Sequence, residues 1–176
     1  MFETILVPTD GSDHAKKAVL LASDIAAKYQ ARLVLLHVMP KGPLPEEVRR
    51  MARVEHITPG SSGPSVPLSP EGQFPASTIL GTTSESDEQA AQLLQFLADK
   101  ILAAAKRVAQ DHGVQKVSSV IADGDPAQQI LRHAEKEGAN LIVMGSRGLS
   151  DLKGLLMGSV SHKVSQLSPC SCITVK

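Results

Sequence analysis

The chain has 176 residues, of which 42% are hydrophobic and 20% charged, as expected of one soluble globular domain with a substantial core. Aromatic residues make up only 2% and there is no Trp, which argues against a stacking surface for nucleic acid. Eighteen basic residues balance eighteen acidic ones, which argues against general polyanion binding but leaves a local anion site open.

The predicted elements alternate between strands and helices. Short apolar runs, several of them continuous, are typical of strands covered on both faces. Apolar residues at three- and four-residue spacing are typical of amphipathic helices, for which Ser12 and Asp125 are predicted N-caps and Gly113 a C-cap. In chain order we predict a strand at Thr4–Val7, a helix at Ser12–Gln30, a strand at Arg32–Val38, a short charged helix at Glu46–Glu55, a helix at Asp87–His112, a strand at Lys116–Ile121, a helix at Pro126–His133, a strand at Asn140–Gly145, a helix from Ser159 to before Pro169 and a strand at Cys172–Val175.

This alternation predicts an α/β fold in which a parallel sheet carries helices on both faces. In such sheets a ligand binds outside the carboxyl ends of the strands, at the point where the strand order reverses. Two glycine-bearing segments follow strands of this chain, VPTDGS after the first and GSRG after the fourth. We therefore expect the binding crevice at these two segments.

A segment rich in Pro, Gly and Ser interrupts the alternation at about residues 57–86. It is longer than ordinary structureless loops. We interpret it as a flexible surface insertion within a single domain that spans residues 1–176. A tolerated solvated loop, a lid over the crevice and a partner-binding segment are its alternative interpretations.

The sequence contains no apolar run near the roughly 20 residues that cross a bilayer. Its first residues, MFETILVPTDG, do not have the pattern of a signal peptide. We therefore predict a cytoplasmic protein that is not an integral membrane protein. Cys170 and Cys172 lie two apart on a predicted strand, where buried core residues are our interpretation and a soft-metal or redox pair the alternative.

The start of the last helix is a candidate phosphate site. Helix N-termini present unpaired N–H groups and partial positive charge. Gly158 would let an oxygen approach the main chain, and Ser159 and Ser161 would add hydroxyl donors. The segment from Gly145 to Gly148 can form a second turn with inward N–H groups. The alternative is an ordinary strand-to-loop turn followed by an ordinary helix cap.

Several common functional motifs are absent from the sequence. It contains no G-x-x-x-x-G-K-[ST], no G-x-G-x-x-G, no H-E-x-x-H and no G-x-S-x-G. These absences argue against a Walker P-loop, an ordinary dinucleotide fingerprint, a zinc protease and a serine hydrolase. No histidine pairs with an acid in a pattern that indicates a catalytic dyad.

The pattern G-x2-G-x9-G-S within LIVMGSRG…GSVSHKV resembles the ATP-binding signature of the universal stress protein family. ILVPTDGSDHAKKAVLLA resembles that family's first strand and helix, and GDPAQQIL the segment before its fourth strand. The resemblance covers the chain apart from the insertion. It implies a three-layer, Rossmann-like adenine-nucleotide-binding fold with a five-stranded parallel sheet of order 3-2-1-4-5, and a homodimer formed through the C-terminal edge strand.

The resemblance also implies a set of ATP-binding residues, with Mg²⁺ on the phosphate oxygens. Asp10 would lie near the ribose hydroxyls, and Val38 would offer backbone groups to the adenine edge. Asn140 stands where the family often has Asp, which we interpret as an end-of-helix feature. The implied binding residues are Pro8, Thr9, Asp10, Val38, Met144, Gly145, Arg147, Gly148, Gly158, Ser159, Val160 and Ser161.

Three functions are compatible with these residues. The first is a nucleotide-dependent regulatory or signalling module in the stress response. The second is an enzyme, a slow ATPase or a phosphotransfer protein, for which the sequence offers no general base. The third is an adaptor that binds a transporter or kinase and holds ATP as a structural ligand.

Overall fold

The computed structural model describes residues 2–39, 83–149 and 157–176. The chain divides into two compact units. The first consists of Met1–Pro43 together with Ala98–Lys176, and the second of Leu44–Leu97. The first unit contains the whole sheet. The elements are β1 (Thr4–Pro8), α1 (Asp13–Tyr29), β2 (Arg32–Met39), α2 (Thr83–Asp111), β3 (Val117–Asp123), α3 (Pro126–Lys136), β4 (Leu141–Gly145), α4 (Ser159–Leu167) and β5 (Ser171–Val175).

The five strands form one parallel sheet of order β3-β2-β1-β4-β5. β1 lies in the middle, where Ile5 is in register with Leu33 of β2 and with Leu141 of β4. β2 and β3 therefore lie on one side of β1, and β4 and β5 lie on the other side. The predicted fold class and strand order are confirmed.

Helices cover both faces of the sheet, because alternate residues of each buried strand point to opposite sides. On one face, buried residues of α1 and of the later part of α2 pack against Ile5, Val7, Leu33 and Leu35. On the other face, α3 and α4 pack against a second row, which contains Leu6, Val34, Leu36, Ile142 and Met144. The predicted three-layer arrangement is thus confirmed for the unit that holds the sheet.

Local capping explains where the helices begin. The Ser12 hydroxyl accepts a hydrogen bond from the Ala15 N–H at 3.3 Å, and Asp125 accepts one from the Gln128 N–H at 2.9 Å, with Pro126 at the first helical position of α3. Gly113 follows α2 with a φ of +84°, as a helix C-terminus favours. All three predicted caps are therefore present.

Element boundaries differ from the predictions by a few residues. α2 begins at Thr83, so the last four residues assigned to the insertion are helical, and α3 continues to Lys136 beyond the predicted end at His133. The predicted helix at 46–55 and the insertion up to residue 82 lie outside the described residues. The single-domain organisation stays a prediction.

Asn140 ties the amino ends of β1 and β4 together. Its side-chain Oδ1 accepts hydrogen bonds from the N–H groups of Glu3 and Thr4 at 2.9 and 3.0 Å. Its own N–H donates to the Thr4 carbonyl at 2.9 Å. The interpretation of Asn140 as an end-of-helix feature was therefore incomplete, because its amide oxygen joins two neighbouring strands.

Both cysteines are free thiols that pack against the core on the α3 and α4 side. They are half-buried rather than fully buried, and Cys170 precedes β5 instead of lying on it. Burial raises the pKa of the Cys172 thiol. Among residues 2–39, 83–149 and 157–176, no three His, Cys, Asp or Glu side chains are grouped as a metal site would require, and no helix is long and apolar enough to cross a membrane.

Candidate functional site

The predicted site residues meet where the strand order reverses, between β1 and β4. Pro8 is the last residue of β1, and Met144 and Gly145 are the last two of β4. Val38 lies one residue before the end of β2, half-buried and in register with Ala122 of β3. Parallel strands place these carboxyl ends along one edge of the sheet.

Thr9 and Asp10 form a firmly held corner after β1. The Thr9 N–H donates to the Leu36 carbonyl at 2.9 Å, so this residue stays attached to β2 after the strand has ended. Asp10 accepts hydrogen bonds on both carboxylate oxygens, from the Ser12 N–H at 3.0 Å and from the Leu149 N–H at 2.9 Å. Asp10 thus connects the loop after β1 with the segment after β4, which are separated by 139 residues in the sequence.

The packing of the protein itself disfavours a side chain at two glycines of the motif, against backbone atoms at Gly145 and against a side chain at Gly148. A Cβ at Gly145 would lie 2.9 Å from the Ala15 backbone nitrogen and 2.9 Å from the Arg147 carbonyl oxygen. A Cβ at Gly148 would lie 2.5 Å from the Asp10 carboxylate. Gly145 lets β4 approach the first turn of α1, and Gly148 leaves room for the Asp10 side chain. These two positions therefore fit the tight-turn alternative, and their contacts with a ligand stay a prediction.

Gly158 differs from both of these glycines. Its φ is −76°, which any residue adopts, and a Cβ there would have its nearest neighbour, the Ser146 carbonyl oxygen, at an ordinary 3.4 Å. It occupies the N-cap of α4, where a side chain commonly accepts a hydrogen bond from the helix, and as a glycine it supplies none. Neither backbone conformation nor packing within the described residues explains a glycine here.

The first turn of α4 presents its N–H groups at the same edge. The first bond along the helix runs from the His162 N–H to the Gly158 carbonyl at 3.0 Å. Helix geometry therefore leaves the N–H groups of Ser159, Val160 and Ser161 without partners inside the helix, at the positive end of its dipole. This turn can accept an anion.

The three residues of this turn have different side-chain environments. Ser159 is exposed, and Val160 is half-buried against the core on the α3 and α4 side. The buried Ser161 hydroxyl donates to the Ser146 carbonyl at 2.7 Å. A hydroxyl has one proton, so the expectation that Ser161 offers a free O–H donor is corrected. Its backbone N–H remains available at the helix start, and its part in a phosphate site stays a prediction.

Ser146 was predicted only as part of the Gly145–Gly148 turn, and the structure gives it a larger role. It is 2% exposed, and its N–H donates to the Val175 carbonyl of β5 at 2.7 Å. Its own carbonyl accepts from the Gly158 N–H at 2.8 Å, and its hydroxyl lies 3.1 Å from Nδ1 of His14. Ser146 thereby joins β5, α4 and α1 at one point. Backbone groups make most of these bonds, so no side-chain pattern could have indicated them.

Arg147 continues this segment towards Gly148. It is half-buried, and its Cα would lie 3.6 Å from a Cβ at Gly158. The structure thus brings the segment Gly145–Gly148 and the start of α4 side by side, as the motif predicts. Whether these residues hold a ligand stays a prediction.

The chain is a doubly wound α/β protein, because its parallel sheet has helices on both faces and a glycine-capped helix begins beside the switch point. The sequence profile of the Universal stress protein family matches residues 1–58 and 69–176. The chain belongs to this family. Universal stress protein YxiE of Bacillus subtilis is 38% identical over 176 residues, which cover all of both chains.

Solved structures share the fold. The structure of protein MJ0577, from Methanocaldococcus jannaschii, is 27% identical, with a TM-score of 0.71 over 100% of this chain and 96% of that one. A universal stress protein in complex with cAMP is 23% identical, with a TM-score of 0.59 over 99% and 97% of the two chains. The universal stress protein from Archaeoglobus fulgidus in complex with dAMP is 16% identical, with a TM-score of 0.58 over 100% and 98%.

Proposed function

We propose that the chain binds ATP at the carboxyl edge between β1 and β4 and works as a nucleotide-dependent regulatory module. The observation that carries the proposal is Gly158. Among the described residues, neither conformation nor packing calls for a glycine there, yet the N-cap carries no side chain. A phosphate oxygen at this position would accept hydrogen bonds from the N–H groups that a capping side chain would otherwise satisfy.

The surrounding residues fit the rest of the nucleotide. In the proposal Asp10 accepts hydrogen bonds from the ribose hydroxyls, since each carboxylate oxygen keeps a lone pair beside the one that binds a backbone N–H. Val38 offers backbone groups to the adenine edge from the half-buried end of β2. The N–H groups of Ser159–Ser161 hold the β- and γ-phosphates, and Mg²⁺ binds the phosphate oxygens.

The complexes of two family structures support an adenine nucleotide as the ligand. One holds cAMP and the other dAMP, on chains that share this fold. The two ligands have adenine and a phosphate in common. The triphosphate is our choice for this chain because three consecutive N–H groups at the start of α4 can serve more than one phosphate.

A regulatory role is favoured because the site connects directly to the edge of the sheet. The Ser146 N–H binds Val175 of β5, and the Ser146 carbonyl holds the Gly158 N–H. In the proposal a homodimer forms through β5, and a transporter- or kinase-like partner responds to the bound nucleotide. A change at the phosphates would reach this edge through one residue. The homodimer, the partner and the cytoplasmic location stay predictions.

Calorimetry with Mg²⁺ and ATP tests the site on three variants. Gly158→Ala adds a Cβ that the protein accommodates at 3.4 Å but that occupies the space for phosphate, so we expect ATP affinity to fall about tenfold or more. Gly158→Asp adds a capping carboxylate that repels phosphate, so it should abolish binding while the unliganded helix is stabilised. Ser165→Ala, at an exposed position of α4, is the matched control.

Two results would contradict the proposal. The native protein could fail to bind ATP, or Gly158→Ala could bind it as tightly as the native protein does. Chromatographic measurement of ADP release in the same samples separates a regulatory module from an enzyme. Turnover at catalytic rates would favour the enzyme.

A further inference from the structure

His37 occupies an unusual place for a histidine. Alternate residues of β2 face the same side, and Leu33 and Leu35, which precede His37 in this row, are fully buried. The His37 side chain is itself only 8% exposed. An imidazole in such a row costs free energy unless its polar atoms form hydrogen bonds. The strand therefore needs a specific partner for it.

That partner is the backbone of Thr9. Nδ1 of His37 lies 2.8 Å from the Thr9 carbonyl oxygen. A carbonyl oxygen can only accept, so Nδ1 carries the proton and donates it. The Thr9 N–H also binds β2, through the Leu36 carbonyl at 2.9 Å. Both backbone groups of Thr9 are thus held by the neighbouring strand before the chain leaves the sheet.

Asp10 follows directly, and its orientation depends on this anchor. Its carboxylate lies between the N–H groups of Ser12 and Leu149, so a rotation of the Thr9–Asp10 peptide would break both hydrogen bonds. His37 holds the carbonyl of that same peptide. The imidazole is therefore connected to the carboxylate through one peptide, without contacting it.

We propose that His37 is a positioning residue for the ribose. Through the Thr9 carbonyl it holds the Asp10 carboxylate where it accepts the sugar hydroxyls. It thereby sets the preference of the site for ribonucleotides over nucleotides that lack these hydroxyls. The inference rests on the proposed function, in which Asp10 contacts the ribose.

The test compares ATP with 2′,3′-dideoxy-ATP by calorimetry in the full chain. His37→Leu removes the donor and matches Leu33 and Leu35 in the same row. His37→Asn keeps an N–H donor near the position of Nδ1. His112→Leu is the matched control, because Nδ1 of His112 also has a single acceptor, Oδ1 of Asp24 at 2.7 Å, beyond the end of α2.

We expect the native protein and His112→Leu to prefer ATP by about tenfold, the effect of one hydrogen bond to a charged group. In His37→Leu this preference should disappear, because ATP binds more weakly while dideoxy-ATP binds as before. His37→Asn should keep most of it. Nitrogen NMR of the unliganded native protein should show His37 protonated at Nδ1.

Four results would overturn the inference. Equal weakening of both nucleotides in His37→Leu would show a purely structural role, and loss of the preference in His37→Asn would exclude the N–H donor as its cause. An NMR spectrum that shows the His37 proton on Nε2 alone would mean that Nδ1 does not donate to the Thr9 carbonyl. Because this measurement uses the native protein, it tests the inference even if His37→Leu fails to fold. A native protein that binds both nucleotides equally would refute the ribose role while ATP binding stands. A native protein that binds neither would refute the proposed function itself.

Discussion

Replacement of a motif glycine by Ala is expected to lower stability much more at Gly145 than at Gly158. Replacing Gly145 by Ala places a Cβ 2.9 Å from three backbone atoms, the Ala15 nitrogen, the His14 carbonyl carbon and the Arg147 carbonyl oxygen. Backbone atoms cannot rotate away as a side chain can, so β4 or the first turn of α1 must move. Replacing Gly158 by Ala places a Cβ no closer than 3.4 Å to any non-adjacent residue of the part of the chain that the structure describes.

The magnitudes follow from this difference. Overpacking of this kind costs about 1–3 kcal/mol. For a domain of this size each kcal/mol lowers Tm by roughly 2–4 °C, so Gly145→Ala should lower Tm by about 2–12 °C. Gly158→Ala changes a helix N-cap from Gly to Ala, and we expect its cost to stay within about 1 kcal/mol.

Thermal unfolding followed by circular dichroism, with urea unfolding for the free energy, measures both variants without ligand. The reasoning would be refuted if Gly145→Ala unfolded within 1 °C of the native protein, a bound set at about half the smallest shift expected. It would equally be refuted if Gly158→Ala were the less stable of the two variants. These unfolding data also serve as the control for the calorimetric test of ATP binding. If Gly158→Ala is stably folded but does not bind ATP, its loss of binding is caused by the change at the site and not by unfolding.

Two further predictions concern a buried histidine of α3 and the residue that joins β1 and β4. Burial, helped by Lys136, lowers the pKa of His133 from its ordinary value of 6.5, so the unfolded chain takes up this proton first as pH falls. The free energy of unfolding should therefore decrease as the pH falls below about 6.5. In urea titrations from about pH 5 to 8, His133→Leu should show a smaller decrease than the native protein. The same slope of unfolding free energy against pH in both proteins would contradict this prediction. Asn140→Ala removes the acceptor of the N–H groups of Glu3 and Thr4, of which the bond to Glu3 is exposed, and should cost about 0.5–1.5 kcal/mol. Asn140→Asp keeps an acceptor oxygen and should cost less; equal unfolding midpoints for the two variants would contradict the role of Oδ1.

Much of the fold was readable from local patterns. Continuous apolar runs such as Leu33–Leu36 indicated strands covered on both faces, and the caps at Ser12 and Asp125 indicated where helices begin. Boundaries were less accurate, as the start of α2 at Thr83 shows. Helix ends depend on competition between local hydrogen bonds and packing, which a spacing pattern does not weigh.

The candidate site was predicted as a set of residues but not as a set of roles. The motif indicated Gly145, Gly148 and Gly158 as binding residues without distinguishing their roles. The structure separates them, because among the described residues a Cβ would come closer than 3.0 Å to another atom at Gly145 and Gly148 but would make only ordinary contacts at Gly158. The sequence indicated Ser146 only as part of the Gly145–Gly148 turn and His37 only as a packing or hydrogen-bonding residue at the end of a strand. Their hydrogen bonds to Val175 and Thr9 become visible only in the folded structure.

Local sequence patterns predicted the order of strands and helices along the chain and the parallel sheet, because hydrophobic periodicity, caps and chain connectivity act over a few residues. The strand order 3-2-1-4-5, which places the switch point, was implied only by the resemblance to the universal stress protein family. Only the folded structure shows that Asp10 accepts a hydrogen bond from Leu149 and that, of the three motif glycines, Gly158 is the one with no packing reason among the described residues to be glycine. Such facts depend on distances between residues far apart in the chain, and these distances exist only once the sheet has brought the strand ends together.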